Sequence, residues 1–176
     1  MPVMQTELHN AVTGMRLREI SDPDAGATAE LVWEATYPAR SPEPPPHLHP
    51  RQHERMEIVS GSLLARVDGR VRTLGPGDVL EIPAGTPHSL WTEAEPATTI
   101  WRTTPALRTR ELFRKLYGLA GEGRTNARGV PNLLQVAVLA SAYPDELRIV
   151  GPPALVQRVV FGVLAPLGRL LGYRAT

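Results

Sequence analysis

Residues 47–61, HLHPRQHERMEIVSG, contain three of the chain's five histidines and two glutamates in a stretch that otherwise has the pattern of a β-strand. His47 and His49 are two residues apart, so on a strand both imidazoles project from the same face. A turn follows, and if Glu54 faces inward on the returning strand, its carboxylate lies beside both rings. His88 begins a later strand and can add a further ligand to the same cavity. Three neutral imidazoles and a carboxylate suit Mn, Fe, Co, Ni, Cu or Zn and leave positions open for water, dioxygen or substrate.

These four residues form a candidate site for one divalent transition metal ion, with His47, His49, Glu54 and His88 as ligands. The alternative is a polar cavity mouth that binds no metal. We favour ligation because an inward-facing set of these groups would otherwise bury a charge and unpaired nitrogens at a cost of several kcal/mol. His53 has the opposite parity to Glu54, so we expect it outside the ligand set.

Short strands separated by glycine and proline extend to about residue 107. Residues 55–67 form one such run, and Asp68-Gly69, a strong hairpin signal, separates it from the next. Residues 41–46, SPEPPP, cannot join a central ladder because adjacent prolines donate no backbone hydrogen bonds. The pattern predicts a closed barrel or sandwich. Its larger aromatic side chains can shape a substrate pocket, although core packing is the favoured role: Trp33, Tyr37, Trp91 and Trp101.

After Pro105 the apolar period becomes that of α-helices. A first helix is predicted over residues 110–121, and a second over residues 133–143, with Asn132 as its cap. The third is predicted to begin at Pro152-Pro153 and to run through Leu171, with a kink at Pro166. Its apolar surface is too broad for one narrow stripe, so it must be covered by the barrel, a partner subunit or another surface. We expect a homodimer.

The histidine segment resembles the first motif of the cupin superfamily, in which His-x-His is followed by Glu and later by Gly. The matching residues are His47, His49, Glu54 and Gly61. Residues 77–88, GDVLEIPAGTPH, are similar to the second cupin motif, with Gly77, Pro83, Gly85 and His88 at its expected positions. Ser41 and Thr92 stand where the two motifs have Gly and Asn, and neither change removes a ligand.

The resemblance covers roughly residues 40–103 and implies an RmlC-like, mainly β fold, an antiparallel double-stranded β-helix or jelly-roll barrel, here followed by about three C-terminal α-helices. We divide the chain into a barrel at residues 1–107 and a helical extension at residues 108–176, packed on the barrel or on a partner subunit. The resemblance also implies a metal inside the barrel, held by His47, His49, Glu54 and His88. It does not imply a reaction, because one fold supports many activities.

Composition excludes several classes of function. The chain has no cysteine, which rules out thiolate catalysis and zinc–thiolate sites. A net charge of +1 gives no overall field for nucleic acid or an anionic membrane. Arg158, Pro166 and Arg169 interrupt the longest apolar stretch, and no signal peptide is recognised. We therefore expect a cytoplasmic protein without nucleic-acid or membrane partners.

Two functions remain open. The first is a metal-dependent enzyme that acts on a small organic molecule, apolar or aromatic, by dioxygenase- or isomerase-type chemistry. In that case Glu54 is either a permanent ligand or a catalytic base. The second is a non-catalytic module that binds or senses a small molecule. The extension is expected to line or cover the mouth of the barrel.

Overall fold

The computed structural model describes residues 6–22, 24, 26–151 and 153–175, with only the backbone of Ala154. Its strands, numbered in chain order, are β1 Glu7–His9, β2 Arg16–Glu19, β3 Leu31–Tyr37, β4 His47–Leu48, β5 His53–Gly61, β6 Leu63–Val67, β7 Arg70–Leu74, β8 Val79–Ile82, β9 His88–Trp91, β10 Ala97–Thr104 and β11 Arg148–Ile149. Its helices are α1 Thr109–Gly121, α2 Leu133–Ala142 and α3 Ala154–Leu170.

The strands form two antiparallel sheets, which confirms the predicted jelly roll followed by three helices. One sheet has the strand order β1-β2-β3-β10-β5-β8, and the other has the order β11-β4-β9-β6-β7. The barrel core is built from buried apolar residues of both sheets, among them Trp33, Met56 and Leu90.

Strand β5 shows how the sequence pattern positions the site. Its inward residues, Glu54, Met56 and Ile58, are at most 1% exposed, and the residues between them lie towards solvent. At its end, Gly61 has a φ of +79°, and a Cβ atom there would lie 1.8 Å from the carbonyl oxygen of Pro96. The run predicted over residues 55–67 is therefore two strands, because the chain passes from one sheet to the other at this glycine.

The predicted hairpin at Asp68-Gly69 is confirmed. Both residues have positive φ angles, 47° and 78°, as a type I′ turn requires. The predicted cap of the second helix is also confirmed, since the Asn132 side chain accepts a hydrogen bond from the backbone N–H of Gln135 at 3.0 Å.

Helix α1 packs on the barrel, where Phe113, Leu116 and Tyr117 join the core. The buried amide of Gln52 fixes this junction. Its nitrogen lies 2.8 Å from the carbonyl oxygen of Pro105 and 2.8 Å from the hydroxyl of Thr109. The turn after β4 is thus tied to the start of the helical extension.

The extension also returns to the barrel. Strand β11 pairs with β4, with Ile149 opposite His47. Beyond it, α3 packs on α2, and Ala165 and Val138 share a small apolar cluster. Pro166 lies inside α3, whereas the predicted start at Pro152 lies outside the described residues. No helix among the described residues is both long and apolar enough to cross a bilayer.

Candidate metal centre

The pairing of β4 with β9 brings His47 and His88 together. His47 lies directly opposite His88 in the antiparallel ladder, and their ring centroids are 4.6 Å apart. Directly opposite residues of such a pair project from the same face. His47 belongs to the first motif and His88 to the second, 41 positions later in the sequence. The two motifs therefore meet through one cross-strand contact.

His49 follows the end of β4 and completes a cluster of three. Its ring centroid lies 5.2 Å from the centroids of both His47 and His88. Its backbone carbonyl accepts a hydrogen bond of 2.9 Å from the N–H of Gly85, in the turn that leads to His88. One nitrogen from each ring lies within 4.8 Å of the others, so the cluster could hold a metal ion.

Backbone carbonyls orient all three rings. Nδ1 of His47 lies 3.2 Å from the oxygen of Pro45, Nδ1 of His49 lies 2.5 Å from that of Glu146, and Nδ1 of His88 lies 2.9 Å from that of Thr86. A carbonyl oxygen only accepts hydrogen bonds, so each Nδ1 carries the proton. When neutral, each ring presents the lone pair of Nε2, which is the form that binds a metal.

Glu54 reaches the cluster from the opposite sheet. Its Oε1 lies 3.3 Å from Nε2 of His49, and its Oε2 lies 3.1 Å from Nε2 of His88. Trp101 fixes the carboxylate, since its indole N–H donates a 3.0 Å hydrogen bond to Oε1. The structure thus brings together all four residues predicted as ligands. Their role as ligands stays a prediction.

The electrostatics of the site favour a neutral His47 and an ionised Glu54. Burial, together with the nearby His49 and His88, lowers the pKa of His47 to about 3. Burial alone would raise the pKa of Glu54, but its contacts with His49 and His88 outweigh this effect and lower it to about 2. Burial opposes a charge on His88, yet its contact with Glu54 raises its pKa.

This donor set fits a cation. Nε2 of His49 is buried and has no hydrogen-bond partner among the described residues, although a carboxylate oxygen lies 3.3 Å away. An imidazole lone pair and an ionised carboxylate repel each other unless a proton or a metal ion lies between them. Three nitrogens and one carboxylate are the ligands that borderline divalent ions accept. The residues present therefore fit the ion that the fold family implies.

A cavity of about 240 Å³ opens onto the cluster. Its lining is mostly apolar and comes from both the barrel and the extension. Met56, Leu90 and Trp101 lie on the barrel side, and Leu112 of α1 and Leu139 of α2 lie on the other. Helices α1 and α2 thus line the mouth of the barrel, as expected for the extension, whereas no described residue of α3 is among the lining residues.

The structure also places His53 and the aromatic residues that the sequence predicted. His53 is exposed, and its Nε2 lies 2.6 Å from Oε2 of Glu81 on the outer face of the barrel. Among the aromatic residues, Trp33 is fully buried in the core. Trp91, predicted to pack in the core, is only partly buried and lies under the guanidinium of Arg66. Trp101 both packs in the core and bonds to Glu54, a role that the sequence analysis did not assign.

Sequence reasoning also missed Glu146, whose backbone oxygen orients His49. It lies in the segment after α2, and its side chain is held by Arg108. No sequence signal indicates which backbone carbonyl will meet a histidine 97 positions away. In contrast, the parity of Trp101 and Glu54 on their strands could have indicated that both face inward.

Comparison with known proteins agrees with this architecture. Residues 33–102 match the family model of the cupin domain. The barrel is a cupin domain. The three helices lie outside the matched range, and no curated protein matches the chain.

Several solved structures are similar to the cupin barrel. An RmlC-like cupin from Shewanella frigidimarina NCIMB 400 has a TM-score of 0.50 and 17% sequence identity, with coverage of 60% of this chain and 88% of that one. KdgF from Halomonas sp. has a TM-score of 0.48 and 19% identity, over 57% and 86% of the two chains. The DMSP lyase DddQ from Ruegeria pomeroyi DSS-3 has a TM-score of 0.40 and 28% identity, over 44% of this chain and only 39% of that one. At these levels of similarity the Shewanella cupin supports the fold, and none of the three indicates a reaction.

Proposed function

We propose that this cupin is a metal-dependent enzyme that acts on a small, largely apolar organic molecule by dioxygenase- or isomerase-type chemistry. The observation that carries the proposal is the convergence of three Nε2 lone pairs and one buried carboxylate at the end of an apolar cavity. A polar cluster of this kind inside an apolar pocket is a common arrangement of active sites.

His47, His49 and His88 would hold the ion, and Glu54 would complete or adjoin the set. A divalent transition ion bound there supplies Lewis acidity or, where it is redox-active, activation of dioxygen. The histidines must be neutral to serve as ligands. Burial and the two neighbouring imidazoles already favour this state for His47 by lowering its pKa to about 3.

Glu54 is suited to serve as a ligand. Its pKa is lowered to about 2, so the carboxylate is ionised at neutral pH, as a metal ligand requires. Trp101 fixes Oε1 through its indole N–H, which leaves Oε2 directed towards His88. Apolar residues such as Met56 and Phe113 line the rest of the cavity, which suits a largely apolar substrate.

Elemental analysis of the purified protein tests the metal site. We expect about one equivalent of a transition metal in the wild type, and only traces in His49→Ala and His88→Ala, since each change removes a nitrogen donor. His53→Ala is the matched control, because this histidine lies on the outer surface. Undiminished metal content in both site variants would exclude the histidine cluster as the binding site.

The reaction type follows from the metal and from oxygen dependence. Iron, manganese or copper with oxygen uptake in the presence of apolar carbonyl or aromatic compounds would support dioxygenase chemistry. Zinc or nickel with turnover under anaerobic conditions would support the isomerase type. In both cases we expect Glu54→Gln to abolish turnover.

The second candidate function is a non-catalytic module that binds or senses a small molecule. The observation in its favour is that α1 and α2 line the cavity, so a bound ligand would contact the extension directly. A ligand that binds the metal-loaded protein and is recovered unchanged, with or without oxygen, would favour this function over the enzyme.

A further inference from the structure

Apart from the metal centre, the cavity lining includes the phenol of Tyr117 on α1. Its side chain is 7% exposed, and its hydroxyl has no hydrogen-bond partner among the described residues. The ring is held in place by Phe113, which it meets edge to face at a centroid distance of 5.8 Å, and Phe113 in turn contacts Trp101 at 5.3 Å. The hydroxyl is therefore carried on a rigid aromatic wall that extends to the residue bonded to Glu54.

Several other polar groups around the cavity already bind protein partners. The Thr109 hydroxyl accepts a hydrogen bond from Gln52, and the Trp101 N–H donates to Glu54. Nε of Arg128 donates to the carbonyl oxygen of Glu43 at 2.9 Å. An unpaired buried hydroxyl is costly, and phenylalanine would fill the same space without that cost. Tyr117 therefore offers the cavity an unused donor and acceptor.

The environment of Tyr117 selects an uncharged ligand group. Burial raises its pKa, as does the nearby Tyr37, so the phenol keeps its proton and can donate. Tyr37 lines the same cavity, and its own pKa is raised by burial and by the charge of Glu54. A charged ligand group would lose its hydration in this mostly apolar lining and would gain only the neutral phenol as a partner.

We propose that the cavity binds apolar molecules with two polar ends. This inference rests on the function proposed above for the metal centre. One end coordinates at the histidine cluster, and the other is an uncharged carbonyl or hydroxyl oxygen that accepts a hydrogen bond from Tyr117. Tyr117 is thus a specificity-determining residue, which discriminates between ligands that carry this oxygen and ligands of the same shape that lack it.

Two matched series of probes test this inference on the metal-loaded protein. The first consists of linear hydroxamates that end in a methyl ketone, with two to six methylenes between the two groups. The second replaces the ketone with an isopropenyl group of similar shape. The hydroxamate binds the metal in both series, and the length of the chain is varied because the two groups must span from the cluster to Tyr117. Calorimetric titration gives the affinities.

We expect at least one ketone to bind the wild type about tenfold more tightly than its isopropenyl match, the value of one buried hydrogen bond. Tyr117→Phe should remove this preference while leaving the affinity for the isopropenyl probe and the metal content unchanged. Tyr143→Phe is the control, because its hydroxyl donates to the carbonyl oxygen of Ala175 and lies outside this cavity, and it should keep the preference.

The possible failures are distinguishable. A ketone preference that survives in Tyr117→Phe, or equal binding of both series to the wild type at every length, would overturn the role of Tyr117 and leave the metal centre intact. Absence of metal from the wild type, with no binding of either series, would overturn the proposed function and the inference that rests on it.

Discussion

At the scale of single residues, the position of the Glu54 carboxylate depends on one hydrogen-bond donor, the indole of Trp101. The indole N–H of Trp101 holds Oε1 at 3.0 Å, and both side chains are almost completely buried. A ligand or base that is fixed by a neighbouring hydrogen bond loses less entropy when it acts, and such partners commonly alter metal affinity. Trp101 is thus a positioning residue that acts on the site through Glu54.

Replacement of Trp101 by phenylalanine should therefore weaken the metal site without removing a ligand. We expect the affinity for the metal to fall by roughly 10- to 100-fold, the usual effect of losing such a partner. Competition with a chromophoric chelator measures this change. Trp33→Phe is the matched control, because Trp33 is fully buried and lies opposite Trp101 in the sheet, but its indole nitrogen has no hydrogen-bond partner among the described residues. Equal affinities in the two variants would contradict the role of Trp101.

Glu43, four residues before His47, is expected to make a pH-dependent contribution to stability. Its carboxylate accepts hydrogen bonds from Nε of Arg66 at 2.7 Å and from the hydroxyl of Ser89 at 2.6 Å. The bond to Arg66 outweighs burial and lowers the pKa of Glu43 below its ordinary value of 4.5. A group with a lowered pKa stabilises the fold above its unfolded-state pKa, and this stabilisation is lost as the pH falls through the folded-state value.

Accordingly, Glu43→Gln should lower the free energy of unfolding by about 1 kcal/mol at pH 7, a modest value because both partners are partly exposed. The difference from the wild type should shrink as the pH falls from 4.5, where the unfolded chain takes up the proton, through the lower pKa of the folded state. Urea denaturation at neutral and acidic pH measures it. Glu122→Gln, in an exposed pair with Arg124, should change stability by less than about 0.5 kcal/mol at either pH. A constant difference for Glu43→Gln across the range would refute the linkage.

The inward-facing residues of the site were predictable, whereas their hydrogen-bond partners were not. The spacing of His47 and His49 and the parity of Glu54 follow from the two-residue period of a strand. The partners of these side chains come from distant segments, as with Glu146, and depend on how the extension folds back. Local periodicity carries no information on such contacts.

At the scale of elements, the two positions that depart from the cupin motifs contact each other. The backbone N–H of Ser41 donates a 3.1 Å hydrogen bond to the hydroxyl of Thr92, which in turn donates to the carbonyl oxygen of Pro38. Ser41 and Thr92 are both buried. The segment that leads to β4 is thereby joined to the end of β9, so the two histidine-bearing strands are tied together at a second point.

We expect Thr92→Val to destabilise the protein by about 1–3 kcal/mol, because the change keeps the shape of the side chain but leaves a buried N–H and a buried carbonyl without a partner. Thr92→Ser retains the hydroxyl and should recover most of this stability. Chemical denaturation of the three proteins measures the effect. If the valine and serine variants were equally stable, the hydrogen bonds would not account for the role of this position.

Most strands were predictable from the alternation of the sequence, but β11 was not. It has two residues, and its position is set by pairing with β4 rather than by its own composition. The break between β5 and β6 likewise depends on a contact of Gly61 with Pro96, 35 positions away. The local sequence pattern does not predict an element whose position is set by a distant partner.

At the scale of the whole molecule, α3 presents an apolar face that the described part of the chain leaves uncovered. Leu170 is 85% exposed, Leu155 70% and Val163 67%. The exposed apolar residues recur at helical spacing along the side away from α2: Leu155, Val156, Val159, Val160, Val163, Leu167, Leu170 and Leu171. The set contains no charged side chain. A continuous apolar surface of this kind is typical of a protein interface.

We propose that two copies of the chain associate through this face, because a second α3 offers the same uncharged apolar surface and a two-fold axis makes it self-complementary. Light scattering at micromolar concentration should give the mass of a dimer for the wild type. The double substitution Val159→Glu and Val163→Glu places two charges on adjacent turns of the face, so it should give the mass of a monomer with unchanged metal content. Arg158→Glu changes a charge on the same helix outside the apolar set, and it should remain dimeric. A monomeric wild type, or a double variant that stays dimeric, would contradict this assembly.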